Sequence, residues 1–343
     1  MRIAQVATLN FSVPPKLYGG IERVVSYLTE ELVAQGHEVT LFASGDSETA
    51  AQLIPVCPHE LQLAVSHEDR VSHYERMMQL VFADVSRFDV IHFHMESIQL
   101  SWLQRQPRPN VTTLHYQLGA PCLKTFCDDY NPPWVSISNN QRLPLPNANW
   151  QATVYHGLPR NLYTFRNEPG DYLAFLGRAS FEKRLDRAIR IASQAGMRLK
   201  VAAKINREEE HFKRDIEPLL HEAGEWVEFV GQVGGREKDE FLGNARALLF
   251  PIDWPEPFGL VMIESLACGT PVIAWPNGSV PEVIDDGRTG FIVESVAEAV
   301  EAVGRISDLD RHTCRQTFED RFDAAGMARQ YVEVYRRLIE AAH

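Results

Sequence analysis

Cysteine is scarce in this sequence of 343 residues. The five cysteines form an odd set, and no two of them are spaced as a CxxC pair. This pattern argues against a disulfide framework and against a zinc site, because neither evenly paired thiols nor four neighbouring ligands can be assembled. We interpret the nearest pair, Cys122 and Cys127, as two ordinary reduced thiols.

The sequence signatures of several common enzyme classes are also missing. No two of the 21 glycines are separated by a single residue, so GxGxxG is absent, and no glycine precedes a lysine as a Walker loop requires. No His-Glu dipeptide continues to HExxH, and no GxSxG elbow occurs. A dinucleotide-dependent dehydrogenase, a P-loop kinase, a zinc protease and an α/β-hydrolase are therefore disfavoured.

Positive charge and long apolar runs are in short supply as well. The sequence has 34 Lys and Arg residues against 46 Asp and Glu residues, for a formal net charge of -12. Nucleic acid and anionic membrane surfaces would be repelled overall. No apolar run approaches the roughly 20 residues that span a bilayer, and residues 1–8 resemble a strand rather than a signal peptide. We expect a cytoplasmic protein with no nucleic-acid partner and no integral membrane segment.

Short apolar runs alternate with amphipathic stretches along the whole chain, which is the pattern of βαβ units in parallel sheets. A first series has a helix that begins at Gly20 and strands predicted at 3–7, 39–43, 90–93, 111–114, 135–137 and 153–155. A second series has strands predicted at 172–176, 199–203, 227–230, 247–251, 272–274 and 291–293. The fold class is therefore α/β, with two Rossmann-like, doubly wound parallel-sheet domains.

The boundary between the two series is predicted from composition. Residues 157–171 carry two prolines and two glycines without apolar periodicity, which is typical of a linker. We therefore place an N-terminal domain at 1–160 and a C-terminal domain at 171–321. The last segment has Tyr331, Val334, Tyr335 and Leu338 on one face of a predicted helix, so that helix needs a surface to pack against.

The most informative segment runs from Phe250 to Glu264. It is predicted to form a strand, a proline-rich turn and a helix that begins near Gly259. Such a helix start presents free N–H groups and the positive end of a dipole, and a glycine lets an anionic diphosphate approach the backbone. Glu256 in the turn and Glu264 in the helix are placed to accept hydrogen bonds from sugar and ribose hydroxyls.

A second segment ends a buried strand at Gly177 and continues with two cations. Arg178 and Lys183 have the charge needed to stabilise a departing diphosphate without a metal ion. Two cations after a strand are also typical of a solvated surface, so this segment alone leaves both interpretations open.

Taken together, these residues resemble the family 4 retaining glycosyltransferases of the two-domain GT-B fold, over almost the whole chain. The run from Glu256 to Glu264 is similar to that family's Glu-x7-Glu motif, and Gly177-Arg178 with Lys183 is similar to its diphosphate-binding residues. The resemblance implies that the two domains face a central cleft. It makes 1–160 the acceptor-side domain and 171–321 the nucleotide-sugar donor domain, with a C-terminal helix at 325–343 packing back on the first.

The resemblance also implies a role for individual residues. The residues implied as catalytic are His115, Arg178, Lys183 and Glu256. Those implied to bind the donor are Gly19, Gly20, Val233, Phe258, Gly259, Leu260 and Glu264. No metal and no cofactor are expected beyond the nucleotide diphosphate sugar itself.

Histidines stand at the ends of two strands of the first domain, where ligand-facing residues emerge in an open α/β sheet. By the family's pattern His115 is the one near the transferred sugar. We interpret His92 and His94 as hydrogen-bonded structural histidines.

We therefore expect a metal-independent, retaining transfer of a hexose, with glucose as first choice, from a UDP-linked donor to a small-molecule or glycan hydroxyl. The acceptor and the oligomeric state stay open. The sequence departs from the family after Pro251, where Ile252-Asp253-Trp254 replaces a small hydroxyl residue, so donor-sugar recognition is expected to differ. Two alternatives remain: a nucleotide-sugar epimerase or hydrolase on the same fold, and a non-catalytic nucleotide-sugar-binding protein.

Overall fold

A computed structural model describes residues 1–61, 66–95, 99–103, 108–119, 130–204, 210 and 212–342. Cys122 and Cys127 lie outside the described residues. The chain divides into two compact units, the first formed by Met1–Pro159 with Ala324–His343 and the second by Arg160–Asp323. The break at Pro159 and Arg160 falls within the predicted linker.

The first unit contains a seven-stranded parallel sheet in the order β3-β2-β1-β4-β5-β6-β7. Its strands are β1 Arg2–Val6, β2 Glu38–Ala43, β3 Gln52–Pro55, β4 Val90–Phe93, β5 Asn110–Thr113, β6 Trp134–Ser136 and β7 Trp150–Thr153. Its described helices are α1 Gly20–Ala34, α2 His67–Ala83 and α3 Leu100–Leu103. The six predicted strands are confirmed, with the last displaced toward its N-terminus. The edge strand β3 was missed because its apolar run is only two residues long, Leu53 and Ile54, and both are partly exposed.

The second unit contains a six-stranded parallel sheet in the order β10-β9-β8-β11-β12-β13. Its strands are β8 Tyr172–Arg178, β9 Arg198–Lys204, β10 Val227–Gly231, β11 Ala247–Phe250, β12 Val272–Ala274 and β13 Gly290–Ile292. Its α-helices are α4 Leu185–Ala195, α5 Glu217–Ala223, α6 Gly235–Gly243, α7 Leu260–Ala267, α8 Val280–Val283, α9 Val296–Arg305 and α10 Arg311–Arg321. The predicted α/β class with two parallel sheets is confirmed.

The chain returns to the first unit in its last helix, α11 (Ala324–Ala341). This helix packs against α1, β4 and β5 of that unit. Tyr331 and Tyr335 are 1% and 0% exposed, although each carries a hydroxyl group, so both hydroxyls need partners inside the protein. They find them on the sheet: Tyr331 with Thr113 at 2.9 Å and Tyr335 with His92 at 2.7 Å.

No helix in the described part of the chain is both long enough and apolar enough to cross a bilayer.

Candidate functional site

The loop between β11 and α7 places Glu256 at the carboxyl end of the second sheet. Gly259 caps α7 with φ of 76°, in the left-handed region that favours glycine. A Cβ atom there would come within 2.9 Å of Met262 Cε and 3.2 Å of Phe250 Cζ, so a larger residue would be strained by its φ and would also require these side chains to shift. The helix start thus leaves its backbone N–H groups uncapped by any side chain.

Lys183 and Glu256 form an ion pair through Glu256 Oε2. The indole Nε1 of Trp254 donates to the same oxygen at 3.0 Å, and the Lys183 ammonium lies 5.0 Å from the Trp254 ring centroid. The two charged side chains are only 16% and 12% exposed. Among the described residues no group hydrogen-bonds to Glu256 Oε1, which leaves that oxygen as an acceptor.

Glu264 lies in the second turn of α7 and is almost wholly buried. Its side chain is 3% exposed and forms an ion pair through Oε1 with Lys238, which lies on α6. Within the described part of the chain Oε2 has no hydrogen-bond partner. Lys238 was missed in the sequence because a lysine in the polar run 235–240 looks like an ordinary surface charge.

Arg178 ends β8, and its side chain is 54% exposed. Its guanidinium pairs with Glu182 at 3.0 Å. The structure therefore brings Lys183 and Glu256 into contact but gives Arg178 a separate partner. Arg178 is an accessible cation whose role depends on a ligand drawing it away from Glu182.

A network of charges holds the 251–256 loop against the turn that carries Lys183. The backbone N–H of Asp253 donates to the carbonyl of Glu182 at 2.8 Å. The Asp253 carboxylate accepts from Arg184 at 2.7 Å and from Arg187 at 3.2 Å. Asp253 thus fixes the loop, and the following Trp254 contacts both members of the Lys183–Glu256 pair.

The remaining donor-site candidates of this unit surround the start of α7 or follow β10. Phe258 is 2% exposed and packs against Phe322, so only its backbone is placed to meet a ligand. Leu260 begins α7 and is partly exposed, as is Val233, two residues beyond the end of β10.

Gly19 and Gly20 form the start of α1 in the first unit. Gly19 has φ of 135°, and a Cβ atom would lie 2.8 Å from Pro15 Cβ. Below them Glu22 is 3% exposed and accepts a hydrogen bond from Thr8. Burial raises the pKa of Glu22, although the Thr8 hydroxyl opposes that shift. The sequence did not indicate this buried acid.

His115 belongs to a cluster of buried histidines in the first unit. His92 and His94 are 0% exposed, and both ring nitrogens of each are hydrogen-bonded, which confirms their structural interpretation. His115 is 9% exposed, lies 3.0 Å from His94 Nδ1 through its Nε2, and stacks on His156 with 5.3 Å between ring centroids. Burial lowers the pKa of all four imidazoles, and that of His115 to about 3.

We expect the first unit to lose stability in mild acid. Unfolded histidines protonate near pH 6.5, whereas these four stay neutral in the fold, so the unfolded state binds more protons as the pH falls. Each histidine then lowers the free energy of unfolding by about 1.4 kcal/mol per pH unit below 6.5, until its folded pKa is reached. Urea midpoints measured from pH 8 to 4.5 should fall steeply for the first unit.

The second unit is an internal control for that measurement. Its described histidines, His221 and His312, are exposed. Its urea midpoint should therefore change less over the same range, and parallel changes in both units would contradict the assignment to the buried cluster.

No group of three or more His, Cys, Asp or Glu side chains among the described residues is arranged to hold a metal ion.

Two family models match the chain in tandem. The one described as Glycosyltransferase Family 4 matches residues 18–150, and the one described as Glycosyl transferases group 1 matches residues 164–317. The short stretch between the two matches contains the break between the structural units.

The chain is similar to proteins of known structure and activity over nearly its full length. It is 24% identical to a phosphatidyl-myo-inositol mannosyltransferase of Mycobacterium leprae, across 98% of this chain and 96% of that protein. It resembles sucrose-phosphate synthase of Thermosynechococcus elongatus with a TM-score of 0.79 and 20% identity, covering 99% of this chain and 100% of the other. It resembles an Anabaena protein solved in complex with UDP-glucose with a TM-score of 0.70 and 17% identity, covering 97% and 98%. At these identities the solved structures establish a shared fold.

Proposed function

This chain belongs to the family 4 glycosyltransferases, which use nucleotide-sugar donors on the GT-B fold, and from that premise we propose its reaction. It transfers a hexose from a UDP-linked donor to an acceptor hydroxyl, with retention of configuration and without a metal ion. The donor is held by the second unit, around the start of α7. Glucose is the first choice of sugar.

The observation that carries this proposal is that two carboxylates, one in the loop before α7 and one in α7, each have one oxygen held by the protein and the other oxygen unpaired among the described residues. Glu256 has Oε2 held by Lys183 and Trp254, and Glu264 has Oε1 held by Lys238. In each case the second oxygen has no partner among the described residues. Two oriented carboxylates at the start of a helix, each with one oxygen left to accept a hydrogen bond, suit a ligand with hydroxyl groups on either side of an anionic link.

In this proposal Lys183 also binds the diphosphate of the donor. A diphosphate bound at the α7 amides carries more negative charge than one carboxylate, so it competes with Glu256 for the Lys183 ammonium. As the glycosidic bond breaks, charge accumulates on the diphosphate oxygens. A lysine that is already oriented and only 16% exposed stabilises that charge with little reorganisation.

Retention follows if the departing diphosphate assists deprotonation of the acceptor on the same face of the sugar. No enzyme nucleophile is then needed, and the rate comes from positioning and from electrostatic stabilisation. In this proposal Glu256 Oε1 hydrogen-bonds a hydroxyl of the donor sugar, and Glu264 Oε2 binds the ribose. His115, in the first unit, hydrogen-bonds a substrate hydroxyl. Arg178 leaves Glu182 for the diphosphate.

A thermal-shift screen across UDP-glucose, UDP-galactose, GDP-mannose and ADP-glucose tests the donor site. A ligand that binds only the folded state raises the unfolding temperature, by the equivalent of about 2.7 kcal/mol at 100 times its Kd. We expect the largest shift with UDP-glucose, retained in the presence of a chelator. Glu264→Ala should abolish the shift, whereas Glu301→Ala, an exposed glutamate on α9, should preserve it. Equal shifts in both variants would remove Glu264 from the site.

Product analysis separates this proposal from its alternatives. Transfer requires a glycosylated acceptor whose anomeric configuration equals that of the donor. Sugar released to water or epimerised without transfer would identify a hydrolase or an epimerase. Donor binding without turnover against a broad acceptor panel would identify a binding protein.

A further inference from the structure

A continuous chain of hydrogen bonds links His115 to the C-terminal helix α11. His115 Nε2 contacts His94 Nδ1 at 3.0 Å, and His94 Nε2 contacts Gln5 Oε1 at 2.8 Å. Gln5 Nε2 donates to the Tyr335 hydroxyl at 3.1 Å. Gln5 lies on β1 and is 0% exposed, so its amide has no contact with solvent.

We propose that Gln5 is a positioning residue whose amide holds His115 as the Nε2–H tautomer, leaving His115 Nδ1 to accept a hydrogen bond from a substrate hydroxyl. That the hydroxyl belongs to a substrate rests on the proposed function. The tautomer itself does not.

The direction of each hydrogen bond follows from the amide. A carbonyl oxygen only accepts, so His94 must carry its proton on Nε2 to bond Gln5 Oε1. A neutral imidazole has one N–H, so His94 Nδ1 is an acceptor and His115 Nε2 must be the donor. The one proton of His115 is then used, and Nδ1 carries a lone pair.

The hydrogen bonds beyond Gln5, at the Tyr335 end of the series, orient the Gln5 amide. The Tyr335 hydroxyl accepts from Gln5 Nε2 and so has its proton available for His92 Nδ1, at 2.7 Å. His92 Nε2 then donates to Thr113 Oγ1 at 2.7 Å, and the Thr113 hydroxyl is left to donate to Tyr331 at 2.9 Å. Every step agrees with the same direction. Burial keeps His92, His94 and His115 neutral, which the argument requires.

The lone pair on His115 Nδ1 is the feature of this hydrogen-bond series that indicates a ligand. His115 Nδ1 is shielded from solvent and has no hydrogen-bond partner among the described residues, while the ring as a whole is 9% exposed. A buried acceptor without a partner costs free energy, and a hydroxyl group that donates to it recovers that cost. A hydroxyl-bearing ligand is therefore the chemical class that fits, whereas an anion is not, because an anion offers only acceptors.

Imidazole nitrogen chemical shifts of the full-length protein test the tautomer without any substrate. We expect wild-type His115 to show a protonated Nε2 and an unprotonated Nδ1. Gln5→Met removes the amide at similar size and should give a mixture of tautomers at His115. Gln5→Glu keeps an acceptor toward His94 and should restore the wild-type signal. His115 protonated on Nδ1 in the wild type, or unchanged in Gln5→Met, would overturn the proposal.

Kinetics test the substrate contact separately. Gln5→Met should lower kcat by roughly 10-fold to 100-fold, the size that losing an orienting partner has at metal-bound histidines, with little change in the KM of the donor. Gln99→Met, at another buried glutamine of this unit, should leave kcat and the His115 signal unchanged. If Gln5→Met shifts the tautomer but keeps a normal kcat, the proposed contact between His115 and substrate is wrong, whereas the proposed donor binding by the second unit is unaffected. If Gln5→Met fails to fold, Tyr335→Phe frees the amide to rotate and should produce the same mixture of tautomers; a wild-type signal there would overturn the proposal.

Discussion

Replacing Lys183 by alanine should lower kcat about 100-fold to 1,000-fold, the usual effect of removing one preorganised donor from a site where negative charge develops. Lys183 is partly buried, paired with Glu256 and surrounded by the rings of Phe250 and Trp254. Its charge is therefore oriented before any ligand binds. The effect should appear in kcat more than in donor affinity, because the diphosphate gains most of its charge in the transition state.

Lys200→Ala is the matched control for this experiment. Lys200 lies on β9 of the same unit and pairs with Glu228 at 3.5 Å, where the two side chains are 29% and 57% exposed. Removing it should change kcat by less than about twofold, since exposed ion pairs contribute little. Steady-state kinetics and unfolding temperatures are to be measured together for both variants. Unchanged kcat in a folded Lys183→Ala protein would remove Lys183 from the catalytic residues.

Deleting residues 327–343 should abolish the cooperative unfolding transition of the first unit. The deletion removes the buried residues Met327, Ala328, Tyr331, Val332, Val334 and Tyr335. Burying each large apolar side chain contributes about 1.5–3 kcal/mol, so the sum is comparable with the 5–15 kcal/mol that stabilises a typical domain. The deletion also takes away the Tyr335 and Tyr331 hydroxyls that satisfy His92 and Thr113 inside the sheet.

Urea unfolding followed by circular dichroism measures the outcome, with the second unit as reference. The second unit contains no residue of the deleted segment and should keep its transition. Removing only Ala342 and His343 is the control, because Ala342 is exposed and lies beyond the end of α11. Retention of both transitions at the wild-type midpoints would show that α11 does not stabilise the first sheet.

The strands could be predicted because apolar runs bounded by turns are a local signal. All six predicted strands of the second sheet are present, and α7 begins beside Gly259 as expected. The edge strand β3 has too short an apolar run to give such a signal, and it forms because the backbone of β2 offers hydrogen bonds along its free edge. The amphipathic face of α11 indicated that this helix packs against another surface, but it did not indicate that the surface is formed by α1, β4 and β5.

The candidate site was predictable only where a motif is continuous in sequence. Glu256, Gly259 and Glu264 follow one another along a loop and a helix, and their spacing alone predicts a shared location. Lys238 and Trp254 carry no signal of their own, although each holds a carboxylate of that motif. Arg178 looked equivalent to Lys183 in the sequence, yet its nearest acid is Glu182.

The order of residues by itself determined the α/β class, the two series of strands and the loop that begins α7, because all of these depend on neighbours within a few positions. Tertiary structure alone decided which charges meet and which way the buried hydrogen bonds run. Gln5 and Tyr335 are 330 positions apart in the chain, yet they share one hydrogen bond inside the first unit. Burial removes water as a competing partner, so the energy of such a group depends on whichever distant residue the fold brings to it.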